Sequence, residues 1–162
     1  MSKTLALFGS DMDKLATELR QFIDSKAPII AGVELTQGFK QSFDKQGFND
    51  LGASTWSEVE RRKGGSKWFG HGSKTGAAKS RGILVGSGAL RDSIRYEASA
   101  HRVRIVSNKV YAAVHNEGLS AKIYGKTSFQ MPKRQFMGNS TLILNRIERK
   151  LDKELRKLIT KK

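Results

Sequence analysis

The chain contains no cysteine. That excludes disulfide staples, thiolate zinc sites and cysteine nucleophiles, and suits a protein made and assembled in the cytosol. No stretch approaches the roughly 20 apolar residues needed to cross a bilayer. The opening residues, Met1 to Gly9, lack a long apolar region with a small-residue cleavage site, so no secretory leader is expected. Acidic residues are scarce: 15 Asp plus Glu stand against 30 Lys plus Arg, a formal charge of +15. Between Glu60 and Asp92 there is no acidic residue at all, while Arg61, Arg62, Lys63, Lys67, Lys74, Lys79, Arg81 and Arg91 supply positive charge. Such a field attracts polyanions, whether nucleic acid, a membrane surface or an acidic protein ring, but says almost nothing about fold.

Signature motifs are missing too. The glycines Gly64-Gly65, Gly70-x-Gly72 and Gly86-x-Gly88 match neither G-x-x-x-x-G-K-[ST] nor a G-x-G-x-x-G that follows a strand and opens a helix. They read as loop glycines and a tight turn. The three histidines, His71, His101 and His115, lack metal-ligand spacing. His115 lies near Glu117, but a pair without a nucleophile, metal or second carboxylate does not make an acid–base site. A hydrogen-bonded structural histidine is the favoured reading. Neither cofactor nor metal is expected, and no catalytic set converges.

What is present fits one compact domain of 162 residues, with 38% hydrophobic and 28% charged residues. Ser10 is a good N-cap and Asp13 completes a capping box, so a helix is expected to begin there, with Met12, Leu15, Leu19, Phe22 and Ile23 on its apolar face. Ala27-Pro28 should break it, and Pro28 suits the first turn of a second helix supported by Ile29, Ile30, Val33 and Phe43. Gly47 is the expected stop, and Gly32 and Gly38 weaken the middle.

Periodicity vanishes from Phe48 to about Ile83. A structureless loop this long is usually functional or disordered. Trp68 and Phe69 within it are large apolar side chains of the kind that await a partner. Two readings stay open: a nucleic-acid contact with cations on phosphates and aromatics on bases, or an insertion that orders against a neighbouring protein.

Regular structure returns with Ile94–Ala98 and Arg102–Val106, which alternate as half-buried strands joined by a hairpin at Ser99-Ala100-His101. Residues Val110–His115 form a strand or short helix ended by Gly118, and a polar loop runs to Pro132. Leu142, Ile143, Ile147, Leu151, Leu155 and Leu158 then mark a terminal helix, its stripe read as core packing. The expected class is α+β: a small antiparallel sheet packed by N-terminal and C-terminal helices, with a long basic loop. The expected parts are 1–47 (N-terminal helices), 48–82 (basic glycine-rich loop) and 83–162 (sheet plus terminal helix). So few strands leave open sheet edges that another subunit could pair with.

Several segments, in order, resemble the phage virion morphogenesis family of Mu-like and related tailed phages, and the broader tail-completion and head–tail connector proteins. They are Phe43 through Gly47; Trp56 followed by Arg61-Arg62-Lys63; Ile83 through Ile94, which carries G-x-L-x-x-S-I; Tyr111 through Gly118; and Met131 through Gly138. Gln135, between Arg134 and Phe136, and the glycine-rich stretch 63–80 depart from the usual pattern. The resemblance implies a non-enzymatic structural subunit that completes or terminates the tail and joins it to the head as an oligomeric ring. A hexamer would match the tail and use head-to-tail interfaces. Implied partners are further copies of itself, tail-tube and head-connector proteins, and packaged DNA in nonspecific contact, with no membrane. The implied location is the host cytoplasm during assembly, then the neck of the virion.

The matching positions Trp56, Gly88, Leu90, Ile94, Tyr111, His115, Gly118, Pro132, Arg134 and Phe136 take structural roles on this reading, with Leu90, Tyr111 and Phe136 in the core. Arg61, Arg62, Lys63, Lys67, Trp68, Phe69, Lys74, Lys79 and Arg81 would face a DNA channel or a neighbouring subunit. The alternative is a stand-alone nucleic-acid-binding module built on the 61–81 loop.

Overall fold

A computed structural model describes residues 2–53, 55–59, 62, 80–123, 125 and 127–160. Helix α1 spans Ser2–Gln21, so the expected start at Ser10 is overturned. The Leu, Ala and Lys residues ahead of Ser10 favour helix, and nothing there forces a stop. The expected break at Ala27-Pro28 is not a break either. A wide π-helical turn, Phe22–Lys26, leads straight into α2, Ala27–Lys45, with the Ala27 N–H donating to the Phe22 carbonyl. Proline brings no N–H to the ladder, and the wide turn accommodates the missing bond.

Helix α2 ends at Lys45, two residues before the expected glycine. Gln46 adopts the left-handed conformation (φ 51°). Its N–H donates to Phe43 O at 3.3 Å, and that of Gly47 donates to Ser42 O at 3.1 Å. This is a Schellman closure with glutamine in the usual glycine place.

Helix α2 is the central element, and its two glycines are contact points. A Cβ on Gly32 would lie 2.5 Å from Tyr96 Cδ2, and one on Gly38 2.7 Å from Ile143 Cγ1. Tyr96 belongs to β1 (Arg95–Ser99), which pairs antiparallel with β2 (Arg102–Val106), Arg95 opposite Val106 and Ser99 opposite Arg102. Alternation sends Tyr96, Ala98, Val103 and Ile105 to the α2 side. Before this ribbon comes a single helical turn, α3 (Ala89–Asp92), entered through Gly88 at φ 84°. After it comes α4 (Ala112–Glu117), closed by Gly118 at φ 70°.

The stretch from Gly118 to Pro132, expected as a loop, contains a second hairpin. Strands β3 (Ser120–Ile123) and β4 (Thr127–Gln130) pair antiparallel, Ser120 opposite Gln130. Among the described residues there are thus two separate two-stranded sheets in place of one. The α+β class stands, with helices at both ends of the chain packed around the hairpins.

The last helix, α5 (Thr141–Thr160), packs along α2 and touches α1. Ser140 caps it: the Ile143 N–H donates to Ser140 Oγ at 3.2 Å, and the Leu142 N–H to the Asp50 carboxylate at 3.1 Å. The Leu142 bond, then that of Leu51, holds the Asp50 carboxyl below its ordinary value. Ile143 and Ile147 are buried, and the rest of the expected stripe is half-buried. Glu34 on α2 is buried at 3% exposure, facing Arg146 Nε at 3.3 Å and Lys150 Nζ, which clamps α5 to α2.

The core joins Phe39 and Phe43 to Trp56, Ile83, Leu90, Ile94, Ala112, Phe136, Ile143 and Ile147. The described side chains of helix α1 contribute little. None of Asp11 to Gln21 is buried, and Met12 and Ile23, expected on a core face, are 44% and 48% exposed. Only Phe22 of that stripe is fully covered.

Candidate functional site

The motif residues converge on one irregular segment, Met131 to Ser140, threaded between α2, α4 and α5. Phe136 lies at its centre with no exposure, its ring 5.2 Å from that of Phe43. Phe43 in turn meets Trp56 edge-on at 5.6 Å. The Trp56 indole N–H donates to Gln135 O at 2.9 Å, so the tryptophan both fills the core and holds the segment. Leu90 and Ile94 belong to the same cluster.

Polar side chains fix this segment where no regular ladder can. Asn116 accepts the Phe136 and Met137 N–H groups through its Oδ1, both at 2.9 Å, and donates to Met137 O at 3.2 Å. Ser140 Oγ donates to Asn49 O at 2.7 Å. Fully buried Asn49 donates from Nδ2 to Gly38 O and Gln41 Oε1, accepts Lys45 Nζ, and sends its backbone N–H to Ser42 Oγ. A buried network whose members are nearly all satisfied specifies one arrangement.

Arg134 is buried, its guanidinium donating to the Ser57 carbonyl at 3.2 Å from both Nε and Nη2. The Arg134 N–H donates to His115 O at 2.8 Å. His115 is half-buried, and its Nδ1 has no hydrogen-bond partner among the described residues. The expected hydrogen-bonded histidine is corrected to this extent. Burial, and secondly the Arg134 charge, push its pKa below the ordinary 6.5. Gly118 is required by contact as well as by φ: a Cβ there would lie 2.9 Å from the Lys133 backbone nitrogen.

Tyr111 is the other correction. It was expected in the core, yet it is 40% exposed, edge-on to His115 at 6.1 Å. It precedes the first turn of α4, whose inward residue is the small Ala112. Pro132 is exposed.

Arg61, Lys63, Lys67, Trp68, Phe69, Lys74 and Lys79 lie outside the described residues. Arg62 is built into the fold. Its Nη2 donates to Gln46 Oε1 at 2.9 Å and to Arg81 O at 2.8 Å, and its Nη1 lies 3.3 Å from Glu58. Gln46 Oε1 also accepts the Ile83 N–H at 3.0 Å. The two flanks of the basic segment are therefore pinned to one point at the end of α2. Sequence reasoning did not single out Asn49, Asn116, Glu34 or Ser140. Ser140, directly before an apolar-periodic run, carries a readable capping signal; lone asparagines and a lone glutamate carry none.

No group of three or more potential metal ligands occurs among the described residues, and none of their helices is long and apolar enough to cross a membrane. The arrangement is that of a small α+β domain in which buried Asn49, Asn116, Arg134 and Ser140 hold backbone. A sequence model of the phage virion morphogenesis family matches residues 12–156, and the chain belongs to that family. No curated protein and no solved structure matches it. Family membership supports a structural role in virion morphogenesis, with other virion components as partners.

Proposed function

We propose that this protein completes or terminates the phage tail and joins it to the head as one subunit of a ring, six copies matching the tail. The observation that carries this reading is α1. Its stripe of Met12, Leu15 and Leu19, continued by Ile23 in the π-helical turn, is left partly uncovered by its own chain. Exposed apolar stripes of this kind serve assembly. The two hairpins support it, since a two-stranded sheet keeps a free edge on each strand for a neighbouring subunit. On this reading the chain acts as one unit, with Asn49, Trp56 and Arg62 joined to the body and the basic stretch within 48–82 serving as the contact. Arg61, Lys63, Lys67, Trp68, Phe69, Lys74 and Lys79 would then face the DNA channel or an adjacent subunit.

Electron microscopy of lysates from a phage lacking this gene tests the proposal. Filled heads beside unattached or abnormally long tails are expected. Intact infectious virions would refute it.

A further inference from the structure

The β1–β2 ribbon shows two unlike faces. One lies on α2, with Tyr96 against Gly32 and Ile105 against the core. The register places Arg95, Glu97 and Ser99 of β1 with Val106, Arg104 and Arg102 of β2 on the other face, all exposed except the half-buried Val106. We propose that this outer face is a phosphate-backbone site for double-stranded DNA, gripped by Arg95, Arg102 and Arg104.

Three features support the assignment. First, the charge is uncommitted. The side chains of Arg102 and Arg104 make no ion pair or hydrogen bond among the described residues, whereas Arg156, Lys157 and Lys133 each face a carboxylate. Arg95 has only Glu97, at 3.4 Å, with both side chains about half exposed; such a pair is readily exchanged for a phosphate. Second, all three cations are arginines, whose planar fork matches phosphate oxygens in a way a lysine does not. Alternate residues on a strand lie about 6.8 Å apart, so Arg102 and Arg104 present a regular row on a support fixed from behind.

Third, the face lacks what a protein partner would need. Protein interfaces depend on buried aromatic or aliphatic anchors at their centre. Here the centre is Glu97 opposite Arg104, and the one apolar side chain, Val106, sits at the end. A DNA backbone asks only for cations and hydrogen-bond donors. This site is separate from the 61–81 segment and does not depend on where in the virion the protein works.

The test is binding of the full chain to a fluorescently labelled mixed-sequence duplex, followed by anisotropy as salt is raised. Variant R95Q/R102Q/R104Q is compared with R149Q/K153Q/R156Q, which removes the same charge from exposed positions on α5. Melting temperatures establish that both variants are folded, and R102Q/R104Q serves as a milder second variant. Three lost phosphate contacts should reduce the log–log salt slope by about 2.7. Between about 50 and 200 mM salt the wild type should therefore lose roughly 40-fold more affinity than the ribbon variant. The milder variant should reduce the slope by about 1.8, and the α5 variant should keep the wild-type slope. Equal reductions in the ribbon and α5 variants would show a diffuse field in place of a site and overturn the proposal. An unchanged slope in the ribbon variant would overturn it as well, and an acidic protein would become the partner to seek.

Discussion

Gly38→Ala isolates the packing logic of α2. Taken alone, alanine in place of glycine inside a helix stabilises by roughly 1 kcal/mol. Here the added methyl would stand 2.7 Å from Ile143 Cγ1, about 1 Å inside an ordinary carbon–carbon contact. Ile143 has no exposure, so it has no room to swing aside. Overpacking a tight core costs about 1–3 kcal/mol, and a full-ångström overlap against an immobile side chain belongs at the upper end. The net expectation is a loss of about 2 kcal/mol, read as a lower urea midpoint with an unchanged slope. Ile143→Val removes Cδ1, the atom nearest the added methyl, while keeping Cγ1, and alone costs about 1 kcal/mol. Combined with Gly38→Ala it should be better tolerated than the sum of the two, by about 1 kcal/mol or more. A neutral or stabilising Gly38→Ala, or strict additivity with Ile143→Val, would refute the argument and leave Gly38 as an ordinary weak point in a helix.

The Glu34 clamp should respond asymmetrically. Replacing Arg146 and Lys150 together by methionine leaves a buried carboxylate uncompensated and should cost about 3–5 kcal/mol. Glu34→Gln should cost less, because both cations reach water, and adding it to the double variant should restore stability; thermal melts of all three decide. His115 titrates below its ordinary value in the folded chain, so the unfolded chain binds more protons just below pH 6.5. Its contribution is complete above about pH 6.5 and is lost as pH falls toward the folded-state value. Melting temperatures of wild type and His115→Gln should converge over that window, and parallel curves would refute the assignment. Asn116→Ala strands the Phe136 and Met137 N–H groups and should cost about 2–4 kcal/mol, with faster amide exchange confined to 131–140. Gly118→Ala, strained in φ and pressed against the Lys133 backbone, should cost more than about 1 kcal/mol by urea titration.

Periodicity made the terminal helix and the first ribbon legible, because both repeat a simple contact with α2. The ribbon's pairing follows from alternation and a short turn, and the stripe Leu142 to Leu158 from helical spacing. Periodicity failed where contacts are aperiodic. Strands β3 and β4 are four residues each, and Ala121, Ile123 and the lone Phe129 are too few apolar positions to establish an alternation. The stripe Met12 to Ile23 looked like core because spacing reports which side chains share a face, not what covers that face. Gly32 and Gly38 looked like flaws because propensity counts a helix alone, without the Tyr96 ring and Ile143 that need the space. Of the three side chains expected in the core from the motif resemblance, Leu90 and Phe136 are buried and Tyr111 is not; Trp56 and Ile94, given structural roles without a place in the core, are buried beside them. The asparagines that hold Met131 to Ser140 were invisible, since a buried satisfied amide and a surface amide look alike in sequence.

These placements bear on assembly through α2. One of its surfaces seats the ribbon at Gly32, another seats α5 at Gly38, and Glu34 between them clamps α5. The arginine face and the terminal helix are thereby held at a fixed orientation by contacts too close to slide. What α2 leaves uncovered is equally definite: the apolar stripe of α1 and the outer face of the ribbon. One of these surfaces is apolar and the other cationic, so they suit different partners, protein for the first and phosphate for the second. The proposed contact with neighbouring copies and the proposed phosphate contact thus use separate surfaces, and on these proposals neither needs the other to form first.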